Sequence, residues 1–141
     1  LRRGVCYLSA EWLQEVNYAP LSLAGAPRAW KEKVLENVLL EFEEAANYVL
    51  DLPRAAANFR KASLLMMLPG YQTLLLATRR HDQLFTAAHQ VKISRLLMAQ
   101  CVQDARRFVN NDEALRTYCR EARAAFHQAT SAPGMIESAR G

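Results

Sequence analysis

Four groups of side chains have the residue types and spacing that could carry chemistry. Glu41, Glu43 and Glu44 place three carboxylates within four residues, with Glu41 and Glu44 on one helical face. A ferritin-like carboxylate site needs Glu-x-x-His on two helices, and no Glu here stands three residues before a His. The three therefore read as a solvated charge face. His81, His89 and His127 have no metal-ligand spacing and no adjacent nucleophile pattern, so they read as loop or surface histidines. Arg79, Arg80, Lys92 and Arg95 flank one short segment. Such cations could hold diphosphate oxygens through charge-assisted hydrogen bonds, and a solvated basic loop fits them equally well. Finally, Leu64 to Leu68, with Met66 and Met67 at its centre, is apolar all round and runs into Pro69-Gly70. Such a turn is either buried core or the wall of a cavity for a long hydrocarbon, which flexible Met side chains suit.

The elements that must position these groups read as helices. Arg28 to Leu52 carries Trp30, Val34, Val38, Leu39, Phe42, Ala45, Ala46, Val49 and Leu52 at spacings of three and four. Lys31, Lys33, Glu36, Glu43, Glu44, Asn47 and Asp51 take the opposite side. Pro27 suits the first turn, and Pro53 ends this helix and starts the next, which runs through Phe59 into the apolar turn. Pro69-Gly70 is expected to kink or break that helix, with Tyr71 to Thr78 resuming it. Ser9 and Ser94 are placed to cap helices at Ala10 to about Val16 and at Arg95 to Val109. The latter has Leu96, Leu97, Cys101, Val102, Ala105 and Phe108 as its apolar face. Asn111 with Asp112 and Glu113 starts a last helix that turns Leu115, Tyr118, Cys119, Ala122 and Phe126 inward. Gln83 to Ala88 suggests another helical turn or two, Gln90 to Ile93 is extended, and residues 131–141 are expected to be a frayed tail.

The whole is one all-α segment over residues 1–141, long enough to bury a core without disulfides or metal. Half its residues are apolar, with five Gly and five Pro. The net charge of +4 is spread along the chain, which allows a phosphate-bearing partner. No helix interleaves Lys and Arg with aromatics, and this argues against nucleic acid. Three widely spaced cysteines suggest reduced thiols and a cytoplasmic setting. No apolar run reaches the roughly 18 residues of a membrane span. Leu1-Arg2-Arg3-Gly4 has neither an initiator Met nor a signal-peptide pattern, so the chain is expected to begin within a longer protein.

Three stretches, in order, resemble the squalene/phytoene synthase family, which joins two prenyl diphosphates head to head. Gly4-Val5-Cys6-Tyr7-Leu8-Ser9, followed by Glu11-Trp12-Leu13, is similar to the family's Gly-Arg-x-Tyr-Leu-Pro segment and ensuing helix, with Val5 in place of Arg and Ser9 in place of Pro. Phe59-Arg60 through Leu68-Pro69 resembles its pocket-lining helix. Phe85, followed by Val91-Lys92-Ile93-Ser94-Arg95, resembles the squalene synthase pattern Val-Phe then Val-Lys-Ile-Arg-Lys, with Ser94 in place of an Arg.

The resemblance spans roughly Gly4 to Phe108. It implies the C-terminal portion of the isoprenoid-synthase (terpenoid synthase) helical fold and part of a prenyltransferase that condenses two farnesyl diphosphates. Phytoene or dehydrosqualene synthase is the close variant, and a non-catalytic helical module descended from the family is the alternative. Leu65, Met66 and Pro69 would line the prenyl tunnel, and Lys92 would meet the phosphates of NADPH. The family's Mg2+ sits on two aspartate-rich motifs, neither of which is in this chain, so metal ligands and catalytic residues are expected outside it and the isolated chain is expected to be inactive. The implied partners are a prenyl diphosphate, the N-terminal half of the enzyme and the surface of a membrane, which the protein would touch peripherally.

Overall fold

A computed structural model of the chain describes residues 8–15, 20–86 and 90–131. Among them are five α-helices and no strand: α1 (Ala10–Gln14), α2 (Arg28–Asp51), α3 (Ala57–Arg79), α4 (Arg95–Phe108) and α5 (Asp112–Ser131). Short 3₁₀ turns stand at Pro20–Gly25, Arg54–Ala56 and His81–Gln83. None of these helices is long and apolar enough to cross a membrane. Ser131, expected to begin the frayed tail, instead closes α5, its hydroxyl donating to the His127 carbonyl at 2.7 Å; the rest of that tail, Gly4 to Tyr7 and His89 lie outside the described residues.

The starts and stops follow local chemistry. The Ser9 hydroxyl accepts from the Trp12 N–H at 3.3 Å, that of Ser94 accepts from Leu97 at 3.1 Å, and the Asn111 side chain accepts from Ala114 at 3.0 Å. Each satisfies one of the N–H groups left open at a helix start. Pro27 stands just outside α2, and its carbonyl accepts from both Trp30 and Lys31. At the other end Leu52 is extended, with ψ at 135°, because the ring of Pro53 crowds a helical residue before it.

Helix α3 is the central element and packs against α2, α4 and α5. It is unbroken, so of the kink or break expected at Pro69-Gly70 the break does not occur. Proline inside a helix removes one backbone hydrogen bond and costs about 3 kcal/mol or more. Stopping there would withdraw Tyr71 and Leu74 from a core in which Leu64, Leu68 and Tyr71 are fully buried, and that burial outweighs the lost bond. Gly70 serves the packing. A Cβ at Gly70 would stand 2.4 Å from Cζ of Phe42, so its hydrogen is what lets the α2 ring lie against α3.

The main core runs from Leu35 and Leu39 through Leu64, Leu68 and Tyr71 to Phe108, Leu115 and Phe126. A smaller cluster of Leu23, Ala26, Trp30 and Val34 receives Trp12 and Leu13 of α1. The indole of Trp30 donates to the Trp12 carbonyl at 2.9 Å and fixes α1 on α2.

Three further expectations are corrected. Lys31, expected in solvent, is buried, and its ammonium donates to the carbonyls of Ala24 (2.7 Å) and His81 (3.3 Å). It ties the turn before α2 to the turn after α3. Leu96, expected inward, is 83 % exposed, because the buried stripe of α4 is Cys101, Ala105 and Phe108 and Leu96 lies off it. The helical turns expected at Gln83 to Ala88 reduce to the 3₁₀ turn His81–Gln83, followed by non-helical Leu84 to Thr86, with Ala87 and Ala88 outside the described residues.

Candidate functional site

The apolar turn of α3 is not enclosed. Leu64, Met67 and Leu68 are buried and Leu65 is half-buried, but Met66 is 78 % exposed. Met66 lines an open groove of about 330 Å³ with Ser63 and Met67 from α3 and with Phe42, Ala45, Tyr48 and Val49 from α2. The four α2 residues recur at intervals of three, three and one, which places them along one flank of the helix. Tyr48 is 59 % exposed, and Phe59, one turn before Ser63 on the same flank of α3, is 71 % exposed. Behind the groove the Phe42 ring stacks on Tyr71 at 5.0 Å.

The groove has no charged lining residue, and its polar groups are the hydroxyls of Ser63 and Tyr48. It can take up apolar surface but offers no acid, base or activated nucleophile. Of the residues expected in a tunnel, Met66 lines this groove. Leu65 packs against the main core, and Pro69 is half-buried with its carbonyl accepting from the Thr73 hydroxyl at 2.8 Å.

Lys92 is exposed on the segment leading into α4, away from the groove lining. Arg79, Arg80 and Arg95 are exposed as well, and none of the four cations forms an ion pair among the described residues. Of the glutamates, Glu41 and Glu44 are solvated, while Glu43 accepts both of its hydrogen bonds from Arg123 of α5 at 2.7 and 2.8 Å. His127 is exposed and His81 is half-buried in its turn. Among the described residues no group of three or more His, Cys, Asp or Glu side chains could hold a metal ion, so they do not fit Mg2+.

Sequence reasoning missed the α2 half of the groove. Its signal was an apolar arc too wide for one buried stripe: Leu39, Ala46 and Val49 face the core, whereas Phe42, Ala45 and Tyr48 extend the arc toward solvent.

Between α3 and α5 lies a group of buried and half-buried polar side chains. The Tyr71 hydroxyl is fully buried without a hydrogen-bond partner, with the Cys119 thiol as a polar neighbour. The Gln72 amide donates to the Tyr118 hydroxyl at 2.7 Å, yet burial pushes that phenol up to about 12. Burial likewise raises Tyr71, Cys101 and Cys119 above their ordinary values. These acids keep their protons in the folded state at a pH where the unfolded chain has released them. Their contribution is complete below the ordinary thiol value of 9.0 and is lost as pH rises from there through about 12. Lys31, lowered by burial, acts in the opposite sense, its penalty easing toward 10.5, but it is one group against four. The thermal midpoint is therefore expected to fall as pH rises above about 9, with Tyr118→Phe making the fall shallower. A midpoint that rises between pH 9 and 11 would contradict this.

Comparison of the chain with protein-family models, with curated proteins and with solved structures finds no match.

Proposed function

We propose that the chain is the C-terminal part of a squalene/phytoene synthase-type prenyltransferase, and that the α2–α3 groove is its contact with a prenyl chain. Support comes from three motif stretches in family order and from the all-helical architecture. The observation that carries the reading is the exposure of Met66 in an uncharged groove. Apolar surface left in water forgoes about 25 cal/mol per Å². A slot between two antiparallel helices suits a linear hydrocarbon, which needs contact along its length and no polar partners.

In this reading the chain's own residues hold and align the tail. Tyr48 and Met66 form the outer walls, and Phe42 is the floor that Gly70 admits. Ionisation of the diphosphate and its Mg2+ belong to the N-terminal half of the enzyme. Lys92 remains the residue proposed to meet the phosphates of NADPH, and the complete enzyme is proposed to be cytoplasmic and peripheral to a membrane.

The test uses methyl-labelled methionine, because Met66 in the groove and Met98, 46 % exposed on α4, report on two surfaces of one chain. Farnesyl diphosphate should move the Met66 methyl signal and leave that of Met98 in place. Met66→Trp should keep stability within about 0.5 kcal/mol, as exposed substitutions do, and weaken binding about ten-fold or more by filling the slot. A Met66 signal that does not respond, or a Trp variant that binds as tightly as the parent, would remove the groove from prenyl binding.

A further inference from the structure

The opposite flank of α2 forms a second cleft, with different chemistry. Asn47 and Glu43 of α2 face Arg116, Arg120 and Arg123 of α5 across about 380 Å³, over apolar surface from Ala46 and Leu50. The three arginines stand at i, i+4 and i+7, which sets them in a row on one face of α5. Next to that row runs the buried stripe Leu115, Ala122 and Phe126, so the guanidinium stems are anchored by a rigid helix.

The charges lining the cleft do not cancel. Glu43 is committed to Arg123, whose Nη1 donates to both of its carboxylate oxygens. Nη2 of Arg120 reaches Glu113 at 3.2 Å and the Thr117 hydroxyl at 3.0 Å. That pair is about two-thirds exposed on both sides, where ion pairs contribute little and exchange readily. Arg116 has no hydrogen bond or ion pair among the described residues. Two guanidinium groups and the Asn47 amide are thus available to an incoming anion, above apolar surface from Ala46 and Leu50.

We infer that the α2–α5 cleft binds a phosphate- or diphosphate-bearing ligand, gripped by Arg116 and Arg120 with Arg123 held in place by Glu43. Guanidinium forks match phosphate oxygens in pairs, and a multiply charged anion is what lets two of them engage at once. The inference stands apart from the prenyl groove, since the two use opposite flanks of α2 and share no lining residue.

Titration of the chain with inorganic diphosphate at low ionic strength should show binding that weakens as salt is added. The double variant Arg116→Ala, Arg120→Ala should weaken it about ten-fold or more. Arg106→Ala, an exposed change on α4, should leave it unaltered. Sedimentation with phosphatidylglycerol vesicles, against phosphatidylcholine vesicles, separates the two sources of the phosphate. Loss of sedimentation in the double variant assigns a lipid headgroup, and binding of diphosphate without sedimentation assigns a soluble ligand. No response to either probe, or a double variant indistinguishable from the parent on both, would overturn the inference. The Met66 methyl response to a prenyl chain should survive the double variant, so failure of one site does not read as failure of the other.

Discussion

Arg60→Ala is expected to cost the fold about 3–5 kcal/mol, the range for removing one partner from a buried charged network. Arg60 is 1 % exposed. Its Nε donates to the Val109 carbonyl at 2.9 Å and its Nη1 to the Leu52 carbonyl at 2.8 Å, while Nη2 meets the Asp112 carboxylate. Leu52 and Val109 are the residues that close α2 and α4, and Asp112 opens α5. One guanidinium thus satisfies carbonyls that their own helices leave open and joins the ends of three helices to the first turn of α3. Alanine would leave those carbonyls unpaired and a void around them. Arg60→Lys should recover little, because an ammonium on a single stem cannot reach three acceptors set in a plane. Urea unfolding measures the loss, and a change below about 1 kcal/mol for alanine would show that water replaces the guanidinium at little cost.

Phe108→Ala is expected to have an effect of similar size, about 3–5 kcal/mol for an aromatic removed from a filled core. Phe108 is fully buried where α4 turns into α5, and its ring lies 5.5 Å from that of Tyr118. The informative comparison is Leu96→Ala on the same helix. Both residues read as inward-facing in the sequence, yet Leu96 is 83 % exposed and its loss should stay within about 0.5 kcal/mol. Equal losses for the two variants would mean that α4 is rotated about its axis from the orientation described here.

Much of the helical framework was legible in the chain. Ser9, Ser94 and Asn111 mark helix starts because a short side-chain oxygen beside an apolar periodicity has one favourable use, and all three make the expected bond. Pro53 marks a stop because the clash with the preceding residue is local and independent of the rest of the fold. Pro69 shows where such reasoning fails. Its local cost is real, but Leu64, Leu68 and Tyr71 on both sides of it are buried by α2, α4 and α5, and that burial is invisible in a single helix.

The candidate sites divide along the same line. An apolar turn at Leu64 to Leu68 could be read from residue types, whereas the three arginines of α5 are matched in number by Asp112, Glu113 and Glu121 and give no local charge signal. That Met66 faces outward with Tyr48 and Phe42, or that Arg116 and Arg120 share a cleft with Asn47, depends on how α2 is rotated between α3 and α5. Lys31 and Arg60 make the same point from inside the protein: their charge and length are in the sequence, but each is also held by a carbonyl far along the chain, that of His81 50 positions away and that of Val109 49 positions away. Helix identity, capping and the breadth of an apolar arc are set by interactions over a few residues, so the sequence alone determined them. Which part of an arc is core, which is groove and which cation is buried follow from contacts between distant segments, and those exist only once the helices have packed.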